Sequence, residues 1–243
     1  MEIIMTITTI NNVIAEICKE IDHDYTMSCS WINLSEKKLL YEILVCISGS
    51  QMKYEMSLSL ADQIISVLPA DLLEIKDIEI HQLEEAIKNK LSKGILICSK
   101  NGTTKISKPR FKNRLTKLVC NTLHTLYGNG LTIKNLIHEA NNPYDLRKVL
   151  VEKISGFGPK QASLFLRRIA YPNDFAVLDT HIIDYLSMAE GQDINIKALS
   201  NLKNYEEIEG RYRQQVSKFE KNIGCIDLAT WITMRVAKQE TYI

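Results

Sequence analysis

Apolar residues recur three and four positions apart along most of this chain, a period that commits the backbone to amphipathic helices and leaves little room for a sheet. "SEKKLLYEILVCISG" shows it most plainly: Ser35 can cap the start, and Leu39, Leu40, Ile43, Leu44 and Ile47 then form one buried face. "SLSLADQIISVL" from Ser57, "IHQLEEAIKNKL" from Ile80 and "RLTKLVCNTLHTLYG" from Arg114 repeat the pattern, the last with Gly128 as its expected C-cap. Helices then continue through "LIHEA", "PYDLRKVLVEKI", "PKQASLFLRRIA", "THIIDYLSMA", "YEEIEGRYRQQVSKFEKNI" and "DLATWITMRVAK". One stretch departs from the period. "GILICSKNGTTKIS", from Gly94 to Ser107, carries two β-rich runs around Asn101-Gly102, which predicts a small hairpin inserted into the bundle. The expected fold class is all-α with that insertion.

Composition narrows the function more by exclusion than by suggestion. A hydrophobic fraction of 45% and a charged fraction of 24% are those of an ordinary globular chain, so disordered and fibrous classes are set aside. The six cysteines are scattered, without a CxxC pair or a His/Cys cluster, which speaks against zinc or an iron-sulfur cluster. The first residues, "MEIIMTITTINNVIAEICKEID", lack a basic start and an unbroken apolar run, and no later run reaches the roughly 18 apolar residues of a membrane span. An intracellular protein with reduced thiols and no membrane contact is expected, cytoplasmic and at the nucleoid if the source is prokaryotic.

The net charge of +1 argues against coating nucleic acid by bulk electrostatics, but charge can be local. "KNGTTKISKPRFKNRLTK", Lys100 to Lys117, contains no acid and includes Arg110, Lys112 and Arg114. This strip can neutralise phosphates; a solvated basic surface is the competing reading.

The most specific segment is "VEKISGFGPKQASLFLRRIA". Val151 and Ile154 end one short helix, Gly156-Phe157-Gly158 make a tight turn, and Pro159 suits the first position of the next helix. Phe157 anchors the turn in the core, and Ala162 is small where two helices cross. This is a helix-hairpin-helix pattern, whose turn amides can hold a DNA phosphate without side-chain charge. Lys160 stands at the start of the second helix, where the helix dipole disfavours a cation. Together with partial desolvation, that position favours a neutral amine over the ammonium expected at an ordinary pKa of about 10.4.

With Asp179 in "FAVLDTHIIDYL", the segment resembles the helix-hairpin-helix DNA glycosylase superfamily, in which Lys160 matches the lysine nucleophile and Asp179 the aspartate. "EILVCISGSQMKYEM", "PRFKNRLTKLV", "AVLDTHI" and "IDLATW" occur in the order and character of the archaeal-type 8-oxoguanine DNA glycosylases, so the resemblance covers most of residues 35 to 235. It implies a two-lobed fold: residues 35–174 as a helical bundle, residues 175–243 as a C-terminal helical lobe, and the helix within residues 1–34 packed on that lobe. It also implies a DNA glycosylase and abasic-site lyase of base excision repair. Lys160 would attack the sugar C1′, Asp179 would stabilise the positive charge developing there, and a Schiff base would permit elimination of the 3′ phosphate.

Further residues match family positions, and each also has a plainer explanation. Gln51 matches the side chain that fills the gap left by an everted nucleotide, or is a polar turn residue. His181 matches a residue near the lesion's 5′ phosphate, or packs at a helix start. Trp231 is placed to stack on the everted base, or belongs to the core. The backbone carbonyls of Glu152, Ile154 and Phe157 match those that often hold a structural monovalent cation; no cofactor is required, and no iron-sulfur cluster is expected. The expected partner is damaged double-stranded DNA, met by a monomer. The chain runs on through "KQETYI" where the family ends in lysine. Two alternatives therefore stay open: a related glycosylase for another damaged base, and a non-catalytic DNA-binding module that kept the hairpin.

Overall fold

The structure, a computed structural model, describes residues 6–21, 31–49, 52–98, 102, 104–109, 111–172 and 174–238. Its helices are α1 (Ile7–Ile21), α2 (Glu36–Gly49), α3 (Tyr54–Ile65), α4 (Ile80–Ser92), α5 (Lys112–Leu126), α6 (Ile133–Glu139), α7 (Pro143–Lys153), α8 (Pro159–Arg168), α9 (Thr180–Glu190), α10 (Leu202–Val216) and α11 (Ile223–Ala237). Strands β1 (Ile95–Cys98) and β2 (Thr104–Ser107) pair antiparallel with Ile95 opposite Ser107 and Cys98 opposite Thr104. The hairpin insertion is thus present, and Gly102 takes the left-handed φ of +79° that its turn calls for. Asn101 lies outside the described residues.

Buried apolar side chains fall into two clusters, and the chain passes from one to the other between Phe175 and Ala176. The first is built on α2, where Leu39, Leu40, Ile43 and Leu44 are wholly buried, each contributing roughly 1.5–3 kcal/mol by leaving water. Ser35 caps this helix by accepting from the Lys38 amide at 3.2 Å. The second cluster combines Ile10, Ile14 and Cys18 of α1 with Ile182, Ile183 and Leu186 of α9 and Cys225, Ile226 and Ala229 of α11. The N-terminal helix is therefore a partner of the last helix across nearly the whole sequence. Cys18, Cys46, Cys120 and Cys225 are buried. Desolvation pushes Cys46 and Cys120 up to about 12, so both remain inert thiols at neutral pH.

Two helix ends differ from expectation. Gly128 is not the left-handed cap of α5; the chain tightens into a 3-10 turn over Tyr127–Asn129, and Gly130, at φ +71°, ends it. A Cβ at Gly128 would lie 2.4 Å from Nδ1 of the exposed His124 side chain, whose ring would have to turn aside. The helix expected to run through "KFEKNI" stops at Val216, with a 3-10 turn ended by Glu220 in the left-handed region at φ +52°. No helix among the described residues is long and apolar enough to cross a membrane.

Candidate active site

The site is built from the starts of two helices. α7 ends at Lys153, and Ile154 leaves helical geometry while its amide still bonds Leu150 O. The turn closes when Phe157 N donates to Ile154 O at 3.1 Å, and Phe157 tucks its ring into the first cluster against Phe165, centroids 6.3 Å apart. α5 steadies the turn from below: Thr122 Oγ1 accepts from Ser155 N at 3.1 Å. Gly156 sits over Leu118 with φ +89°, and a Cβ there would approach Leu118 Cδ1 to 3.1 Å. Gly156→Ala is accordingly expected to cost about 1–3 kcal/mol in chemical denaturation, from left-handed strain and this contact.

α8 opens with Gly158 as N-cap and Pro159 as its first residue, and Gln161 Oε1 accepts the Gly158 amide at 3.1 Å. The amides of Lys160 and Gln161 belong to the first turn, which has no intrahelical acceptors. Lys160 is half-buried there. Asp179 is the N-cap of α9: its Oδ1 accepts from His181 N at 2.9 Å and Ile182 N at 3.0 Å. The capping explanation of Asp179 thus holds, and it fixes the carboxylate by one oxygen. Lys160 and Asp179 line the same cleft, of about 260 Å³, with Tyr205 at its wall and Ile196 and Leu199 beside it. A primary amine, a carboxylate and helix-start amides facing one space are what covalent attack on an electrophilic, phosphate-flanked carbon needs.

The remaining expected residues divide. Gly156, Phe157 and Gly158 form the hairpin turn just described. Lys112, at the start of α5, donates to Ser92 Oγ at 3.1 Å, while Arg114 is exposed on the same helix. Gln51 and Arg110 lie outside the described residues, as does the tail beyond Lys238. His181 is buried, its ring edge-on to Trp231 with centroids 5.9 Å apart. Trp231 is half-buried and carries the Arg235 guanidinium 4.9 Å from its ring centroid. These two residues therefore meet each other across α9 and α11. Of the carbonyls expected to face a monovalent cation, Glu152 O lies in the last turn of α7, where carbonyls lack intrahelical donors, and Ile154 O accepts from the Phe157 amide. Among the described residues no group of His, Cys, Asp or Glu could hold a metal ion.

Behind Asp179 lies a buried polar network that no motif in the sequence announces. The segment Asp174–Leu178 leads from the first cluster to Asp179, and side chains hold its peptide groups. Arg213 Nε donates to Asp174 O at 2.9 Å and Arg167 Nη2 to Phe175 O at 2.8 Å. Glu209 Oε1 accepts from Ala176 N at 2.9 Å, and Asp227 Oδ2 accepts from Val177 N at 2.8 Å. The Tyr205 hydroxyl donates to Ala176 O and accepts from Leu178 N, both at 2.9 Å. Burial pushes the Glu209 and Asp227 carboxyls up, and arginines pull against it: Arg147 and Arg213 at Glu209, Arg167 at Asp227. Arg147 is wholly buried, 3.0 Å from Glu209, with its guanidinium 3.9 Å from the Phe175 ring centroid. One trace of this network is visible in the helical spacing: Tyr205, Glu209, Tyr212 and Val216 share a stripe, so an acid falls at core spacing.

Known proteins resemble this chain over most of its length. The family described as 8-oxoguanine DNA glycosylase, Ogg-HhH, matches residues 22–221. The 8-oxoguanine DNA glycosylase/AP lyase of Thermoplasma volcanium is 29% identical over 154 residues, which is 60% of this chain and 68% of that protein. Among solved structures, the 8-oxoguanine DNA glycosylase of Methanocaldococcus jannaschii superposes with a TM-score of 0.65 at 22% identity, covering 98% of this chain and 95% of that one. The same organism's glycosylase/lyase in complex with a 15mer DNA containing 8-oxoguanine gives a TM-score of 0.61 at 21% identity, covering 96% of this chain and 92% of that one. The helix-hairpin-helix, the shared cleft and the match over most of the sequence together place the chain in the 8-oxoguanine DNA glycosylase family.

Proposed function

We propose that the chain is a bifunctional DNA glycosylase and abasic-site lyase that removes 8-oxoguanine from damaged duplex DNA and then nicks the strand. The observation that carries the reading is the cleft onto which both Lys160 and Asp179 open. A non-catalytic hairpin module has use for the turn but none for an amine and a carboxylate facing one space.

The chemistry follows from the placement. The damaged nucleotide leaves the stack at a loss of a few kcal/mol, and its sugar enters the cleft. The Lys160 amine attacks C1′, the bond from C1′ to the base breaks, and the base departs with the electron pair. The Asp179 carboxylate stabilises the positive charge at C1′ as that bond lengthens. Proton loss from nitrogen and ring opening give the Schiff base; loss of a proton from C2′ then expels the 3′ phosphate, and water returns Lys160. The hairpin amides grip the backbone meanwhile. Glu152, Ile154 and Phe157 would offer carbonyls to a monovalent cation, whose charge adds to that grip when it is bound. The enzyme would act as a monomer.

Duplexes bearing 8-oxoguanine, an oxidised pyrimidine or undamaged guanine at one position test the reading. Release of 8-oxoguanine with strand nicking is expected, and undamaged guanine should be left in place. Preferential release of the pyrimidine, or binding without release of any base, would overturn it. The basic strip makes a separate prediction: neutralising Lys108 and Lys112 should weaken binding of all duplexes alike and flatten the salt dependence by roughly one unit of slope for each phosphate no longer neutralised. Unchanged salt dependence would return the strip to solvated surface.

A further inference from the structure

We infer that Tyr205 is a positioning residue for the reaction, holding the Asp179 carboxylate in register with Lys160 by bridging the backbone that precedes it. The inference rests on the reading that Asp179 acts at the sugar.

Asp179 has its own short tether, since one carboxylate oxygen caps α9. A cap fixes the side chain relative to α9; it does not fix α9 relative to α8, which carries Lys160. That second relation runs through Asp174–Leu178, a stretch without helical or sheet bonds of its own. Its backbone must find partners in a buried setting, or leave donors and acceptors unpaired. Tyr205 supplies two of them from one atom. Its hydroxyl donates to Ala176 O and accepts from Leu178 N, the amide immediately before Asp179. Burial pushes this phenol above its ordinary value, so it keeps the proton that it donates. The residue is wholly buried, yet it forms part of the wall of the cleft.

The surrounding network makes the bridge stiff and ties it to both lobes. Arg147 of α7 and Arg167 of α8 come from the hairpin unit, while Glu209 and Tyr205 of α10 and Asp227 of α11 come from the other cluster. Tyr205 differs from the charged members in one practical respect. Removing an acid or an arginine strands its partner's charge in the interior, whereas removing the phenol oxygen alone leaves the ring and the charge pairs in place.

The test compares variants under single-turnover conditions on one 8-oxoguanine duplex, with dissociation constants and thermal midpoints measured alongside. Tyr205→Phe deletes the bridging hydroxyl. Tyr212→Phe is the control, an equally buried tyrosine on the same helix whose hydroxyl meets Thr230 Oγ1 at 3.1 Å instead of the segment. Because displacement of a reacting group by about 1 Å can cost on the order of a hundredfold, base release by Tyr205→Phe should fall about tenfold or more, with DNA affinity within about twofold. Tyr212→Phe should keep its rate even where its thermal midpoint drops. A wild-type rate for Tyr205→Phe, or rates that fall in step with thermal midpoints in both variants, would overturn the inference.

Asp179→Asn in the same series keeps the two readings apart. If it releases base normally, the role of Asp179 fails and the positioning inference goes with it. If it is crippled while Tyr205→Phe is unimpaired, the positioning inference alone fails. Should Tyr205→Phe not fold, amide exchange in the wild-type protein decides. A Leu178 amide protected like those in the middle of α8 supports the clamp, and exchange at surface-loop rates removes it.

Discussion

Lys160→Gln is expected to bind a lesion duplex as the wild type does, to give no borohydride-trapped adduct, and to lose strand nicking to background. Glutamine is accommodated at the second position of α8, since it is a competent helix former and carries no charge against the dipole. The grip on DNA is assigned to the turn amides and the cleft walls, which the substitution leaves intact. What disappears is the amine, and with it the covalent intermediate through which the elimination must pass. Base release should fall too, because water would have to replace a nucleophile held at the reacting carbon. The check is a gel assay for nicking and trapped complex beside a binding titration. A trapped adduct that survives the substitution would move the nucleophile elsewhere.

Asp179→Asn is expected to lower single-turnover base release by about 10²–10³-fold, the loss typical when one preorganised electrostatic partner of the transition state is removed. Asparagine is as good an N-cap as aspartate, so its carbonyl oxygen can still accept from His181 N and Ile182 N. The start of α9 should therefore be retained, with a thermal midpoint near that of the wild type. The negative charge facing C1′ would be gone. Binding of undamaged duplex should change little, because the grip on phosphate is assigned to the hairpin amides. Wild-type release by this variant would reduce Asp179 to its capping role.

Much of this arrangement was legible from local pattern. The three-and-four period gave the helices, and α2 buries the residues its spacing selects together with all the other residues from Glu42 to Ser48. The hairpin was legible through Gly156, whose φ of +89° leaves the residue little choice, and through Pro159 at the first position of α8. Gly128 misled because two glycines stand close together, and it is the farther one, Gly130, that the backbone conformation requires. Glu220 ends its turn in a left-handed conformation for which the sequence carries no glycine signal.

The network around Asp174–Leu178 was hidden for a different reason. Arg147, Arg167, Tyr205, Glu209 and Asp227 come from four helices, and spacing within one helix says nothing of which others it will meet. Glu209 at core spacing announces that a buried acid needs a partner, but it does not name Arg147 or the Ala176 amide. The proposed reaction was therefore readable from two residues, whereas the proposed means of holding them in register required the fold.

The central claim is that Lys160 becomes covalently joined to the sugar of the damaged nucleotide. Its most direct measurement is borohydride reduction of the wild-type protein mixed with an 8-oxoguanine duplex, followed by proteolysis and mass mapping of the adduct. The sugar remnant is predicted on the peptide that carries Lys160. A remnant on another lysine, such as Lys153 or Lys148, or no adduct with either the 8-oxoguanine duplex or one bearing an abasic site, would contradict the account.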